Sequence, residues 1–84
     1  MVVDVGTENT ADRLFQALAD STRRDILQRV LKREQSVSSL AVGYAISFAA
    51  IQKHVSVLER AQLVRKERRG REQIVHPVPE SLKM

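Results

Sequence analysis

The chain has no cysteine. Neither a disulfide framework nor thiolate metal ligation can therefore supplement its core. It has no tryptophan, one tyrosine and two phenylalanines, so a core must be built from Leu, Ile, Val and Ala. Such a core suits packed helices better than a β-sandwich. No apolar run approaches the roughly 18 residues of a membrane span. Residues 1–10 carry no basic group followed by an apolar stretch, so they do not read as a secretory signal. No membrane partner is expected, and the lack of cysteine fits the cytoplasm, the expected location. Nucleophile–base pairs, glycine-rich phosphate loops and paired-carboxylate motifs are also missing. An enzyme reading has nothing to rest on, and no cofactor is expected.

What is present is one small domain. At 84 residues the chain lies near the lower end of what folds alone on a hydrophobic core. Domains of this size commonly gain stability from a second copy, so a homodimer is expected. The charge is unevenly placed. Residues 1–50 hold six basic and six acidic side chains, whereas residues 51–84 hold eight and four. The whole formal charge of +4 lies in the second part, which points to a polyanion partner, nucleic acid rather than membrane.

Residues 1–9 show no helical period and read as a flexible amino-terminal segment. Thr10 or Asn9 caps a first helix, on which Leu14, Ala17 and Leu18 form one apolar stripe. Asp20 caps a second, with Ile26, Leu27, Val30 and Leu31 as its buried face. Ser36 caps a short third helix, for which Val37, Leu40 and Ala41 supply the apolar positions and which ends near Tyr44. After a turn of about three residues Ser47 opens a fourth helix, 47–60, with Ile51, Val55 and Leu58 inward and Ala50 beside them. Residues 63–68 are β-compatible, Arg69-Gly70-Arg71 is a turn, and residues 73–76 return as a second strand. The domain thus covers residues 10–76, mainly α with a small β-hairpin. Residues 77–84 form a tail in which Pro79-Glu80-Ser81-Leu82 reads as the start of a truncated helix.

Two short helices joined by a tight turn and followed by a basic hairpin make a winged helix-turn-helix. The second helix of the pair must enter the DNA major groove, about 12 Å wide, so one face is apolar and the other polar or small. With the Ile51 ridge inward, Ser47, Phe48, Ala49, Gln52, Lys53, His54 and Ser56 are the candidate contacts. Gln52 can pair with adenine, Lys53 with a guanine edge or a phosphate, Ala49 with a thymine methyl, and Ser56 with the backbone. Phe48 either contacts DNA or folds back on Tyr44 or Ile46 as a hydrophobic staple. His54, at the border of the buried face, has a phosphate or a packing role. His76 has no cysteine or carboxylate at ligand spacing, and no metal site is expected. On the wing, residues 63–76, Arg68, Arg69 and Arg71 gather at the tip, suited to phosphates or a narrow minor groove.

Several of these segments, in order, resemble the ArsR-type family of winged-helix repressors. They are LFQALADSTRRDIL at residues 14–27, VSSLA at 37–41, SFAAIQKHVSVLE at 47–59, and Leu63-Val64 with the Arg69-Gly70-Arg71 tip. The resemblance covers about residues 11–76. It implies a bacterial homodimeric regulator, usually a repressor, that binds a pseudo-palindromic operator on double-stranded DNA and is released by an effector that these residues do not name. The family's metal sensors carry a cysteine pair on the third helix, where this chain has residues 36–40 and no thiol. A thiolate arsenic or cadmium sensor is excluded. Family members usually end in a further helix that pairs across the dimer. Gln62 stands where the family commonly has glycine, and a left-handed conformation there would cost about 1 kcal/mol. The rival reading is a winged helix that binds protein. The arginines gathered at one tip favour DNA.

Overall fold

Three helix starts are set by side chains that accept from otherwise unpartnered first-turn amides. Asp20 accepts from the Arg23 amide at 3.0 Å and opens α2, Ser21–Lys32. Ser36 accepts from the Ser39 amide at 3.0 Å and opens α3, Val37–Tyr44. Ser47 accepts from the Ala50 amide, also at 3.0 Å, and opens α4, Phe48–Arg60. All three are the caps read from the sequence. The computed structural model describes residues 10–78, and α1 spans Thr10–Leu18. Thr10 is itself helical, and Asn9, the other capping candidate, lies outside the described residues.

The far end of α1 is closed from the next helix. Arg23 donates through Nη2 to the Gln16 carbonyl at 2.8 Å and through Nε to the Ala17 carbonyl at 3.0 Å. Arg24 donates to the Leu18 carbonyl at 2.6 Å. Two cations thus meet the negative end of the helix dipole and satisfy carbonyls left free there.

The core is aliphatic, as the scarcity of aromatics requires. Ala17, Ile26, Val30, Val37, Leu40, Ile51, Val55, Leu58, Val64 and Val75 are buried, and no polar or charged residue among those described is buried with them. Leu14 and Leu18 pack against its edge. One expectation fails: Leu31 is 45% exposed. It follows Val30 by one residue, roughly 100° further round the helix, which carries it past the contact.

After α4 come β2, Val64–Arg69, and β3, Glu72–Pro77, paired antiparallel with Arg69 opposite Glu72. The turn is therefore Gly70-Arg71 alone, one residue shorter than expected, because Arg69 completes the ladder. Gly70 has a φ of 62°, the left-handed conformation that tight two-residue hairpins demand. A further strand was not foreseen. β1, Gln35–Ser36, pairs with β3 through Gln35–Val75 and Ser36–Ile74, giving the order β1-β3-β2. Two residues are too few to show a period of two. β3 runs through Pro77, and the Val78 amide donates to the Leu63 carbonyl at 3.1 Å, so regular structure passes the expected boundary at residue 76. The helix expected from Pro79 lies outside the described residues.

Ala45 and Gln62, which flank α4 on either side, have φ of 54° and 62°. Gln62 is thus left-handed where the family resemblance implies glycine. Side chains other than glycine are disfavoured in this region by about 1 kcal/mol. Ala45 is exposed, and Ala45→Gly is expected to stabilise the domain by a few tenths to about 1 kcal/mol. The check is a higher urea midpoint at unchanged m-value; a lower midpoint would show that the turn carries no such strain.

Candidate nucleic-acid interface

α4 is held by its inner ridge. Ile51, Val55 and Leu58 are each 0% exposed, spaced i, i+4, i+7 so that they share one face at about 100° per residue. The same geometry puts Ala49, Lys53, Ser56 and Arg60 in a line on the opposite face. Ala49, Lys53 and Arg60 are exposed and Ser56 is half-buried. Arg60 was missed in reading the sequence, although it continues the period of Ala49, Lys53 and Ser56. Gln52 and Phe48 fall on one flank, with Gln52 half-buried and Phe48 49% exposed. Ser47 is exposed, with its hydroxyl engaged as the cap.

His54 lies on the other flank and belongs to a different group. Its Nδ1 is 3.3 Å from Arg23 Nη1 and 4.0 Å from Asp20 Oδ2. The structure sets it against the junction of α1 and α2, to one side of the outward line. The Asp20 carboxyl beside it is held below the usual 3.8, first by the Arg23 amide and then by the Arg23 guanidinium and His54. A single arginine thus links the end of α1, the start of α2 and the flank of α4.

The first helix of the helix-turn-helix, α3, is tied to α2 by polar contacts. Tyr44, the last residue of α3, donates from its hydroxyl to Asp25 Oδ2 on α2. The Arg29 guanidinium stands 5.0 Å from the Tyr44 ring centroid, within cation–π range. Burial, and then the bond to Asp25, push the Tyr44 hydroxyl above its ordinary pKa. Gly43 lies directly beneath the Arg29 guanidinium, which an added Cβ would displace.

The three arginines expected at the wing tip are not equivalent. Arg68 and Arg71 are exposed. Arg69 is turned back toward the body, with Nη2 donating to Glu34 at 3.1 Å and to Glu67 at 3.0 Å. Lys66 lies 3.5 Å from Glu59 and ties β2 to α4. Glu34 was also missed, since its partner is distant in the chain and no local signal marks it. Among the described residues no group of three or more His, Cys, Asp or Glu is placed to hold a metal ion. No described helix is long and apolar enough to cross a membrane.

A capped helix with a buried ridge and a small, polar outer face, flanked by a basic hairpin, is an arrangement shared with known regulators. The HTH-type transcriptional regulator Rv2034 of Mycobacterium tuberculosis is 40% identical over 60 residues, covering 71% of this chain and 56% of that protein. The transcriptional repressor SdpR of Bacillus subtilis is 29% identical over 59 residues, covering 70% of this chain and 66% of that protein. The chain thus spans between half and two thirds of the length of both relatives. In fold it is similar to a homodimeric winged helix-turn-helix DNA-binding domain, Mb0332 of Mycobacterium bovis. That likeness has a TM-score of 0.81 over 96% of this chain and 80% of that one, at 20% identity. The family model for bacterial regulatory proteins of the arsR family matches residues 20–66, from the α2 cap to the first half of the wing. The chain belongs to the arsR family of bacterial regulatory proteins.

Proposed function

We propose that this regulator is a homodimeric repressor that reads a pseudo-palindromic operator on double-stranded DNA in the cytoplasm. The outward face of α4 between Phe48 and Ser56 meets the major groove, and the wing meets the backbone or the adjacent minor groove. The observation that carries this reading is the division of α4 into a fully buried ridge and an outward line of Ala49, Lys53 and Ser56. A helix used only for packing has no need of a small residue and a free cation aligned on its solvent face. Ala49 admits close approach to a thymine methyl, Gln52 pairs with adenine from the flank, and Lys53 meets a guanine edge or a phosphate. Phe48, half exposed at the start of the helix, adds an apolar base contact. Arg68 and Arg71 supply phosphate contacts. Repression is supported by the name of the Bacillus relative, and pairing by the homodimeric Mycobacterium neighbour. In a two-fold dimer the two copies of α4 would enter successive major grooves, roughly 34 Å apart.

Four outcomes are expected. With Lys53, Arg68 and Arg71 from both protomers on phosphates, affinity for random duplex should fall about a thousandfold between 50 and 200 mM salt. A flat response would remove the DNA reading. Arg71→Ala should weaken all sequences alike and make the salt slope shallower. Gln52→Ala should instead relax discrimination by about 1–3 kcal/mol at particular base pairs. Equal losses on specific and random DNA from both changes would refute that division of roles. Sedimentation should give a dimer at micromolar concentration, and a monomer there would overturn the proposed assembly.

A further inference from the structure

Arg69 commits its guanidinium within the chain. Nη1 and Nη2 reach the two carboxylate oxygens of Glu34, and Nη2 is shared with Glu67 Oε1 at 3.0 Å. His76 Nε2 lies 3.3 Å from that same Glu67 oxygen. The strand register puts Glu67, Arg69 and His76 on one face of the sheet, while Arg68 alternates to the other. Glu34 comes from the link between α2 and β1, so the fork joins the last residue of β2 to a segment 35 positions earlier. Paired fork-to-fork contact is the geometry in which an arginine–carboxylate pair is most directional. Hydrogen bonding from Arg69 holds both Glu34 and Glu67 below the ordinary carboxylate range, and both are therefore ionised at neutral pH. Two carboxylates then face one guanidinium. The charge of Arg69 is thus already balanced within the chain, and an approaching phosphate finds its donors occupied.

We propose that Arg69 is a positioning residue and not a phosphate contact: with Glu34 and Glu67 it forms a strut that fixes the wing against the body and so aims Arg68 and Arg71. This changes the part that the sequence assigns to Arg69, and it rests on the reading of the wing as a DNA contact. The opposite possibility is a masked contact, in which Glu34 merely occupies a fork that DNA would take over.

The two differ in sign. Glu34→Gln loosens a strut but frees a masked contact. For a strut, duplex affinity falls about twofold to fivefold, the range open to an exposed ion pair. Amide exchange at Arg69 and Glu72, the ladder pair beside the turn, quickens in the free protein. The double exchange Glu34→Arg with Arg69→Glu restores slow exchange and most of the affinity, although position 69 is then anionic. Tighter binding by Glu34→Gln with a steeper salt dependence would overturn the proposal, as would unchanged exchange at Arg69 and Glu72. Salt-independent binding by the unaltered chain would sink the DNA reading itself, while quickened exchange in Glu34→Gln would still establish the strut.

Discussion

The burial of one ridge on α4 governs the rest of the molecule. Ile51, Val55 and Leu58 are sealed by the other three helices and the start of β2. At about 2 kcal/mol for each buried aliphatic side chain, their gross contribution is comparable with the whole net stability of a small domain. Because the ridge fixes the rotation of the helix about its axis, it also fixes which residues look outward. Packing and outward display are thus one decision. Any turn of α4 that brought His54 or Gln52 to the centre of the outer face would lift Val55 or Ile51 from the core.

The features legible in the sequence were those written within one or two helical turns. Asp20, Ser36 and Ser47 each act on an amide three residues ahead, so composition and spacing reveal them. The ridge of α4 is a local period, and the wing announces itself by apolar residues on either side of a glycine turn. What escaped was set by distant partners. β1 is a strand only because Val75 and Ile74 arrive beside it. His54 stands on a helix flank that the sequence leaves ambiguous, and only the fold brings Arg23, 31 residues away in the chain, beside it. Leu31 looked apolar enough for the core and missed it by a fraction of a turn.

Charge shows the same division. The concentration of basic side chains after residue 50 drew attention to the wing, yet a count of cations is not a count of contacts. Lys66 is paired with Glu59 and Arg69 with two carboxylates, while Arg23 and Arg24 close the end of α1. Much of the basic character is thereby used in assembling the domain. The few cations left on the outer surface project from neighbours that are themselves held in place.

The two-residue strand β1 has a consequence for how the chain reaches this state. Its pairing of Gln35 with Val75 closes a loop of some 40 residues that contains all of α3, α4 and β2. Closing a loop of that length carries an entropic cost of about 3 kcal/mol beyond a constant term, and contacts so far apart in sequence form slowly. The helices can pair early through neighbours, but the clasp shuts only when the last strand is available. During synthesis β3 is also the last described element to be made. On that account α4 gains its final seat late, when β3 has joined β1.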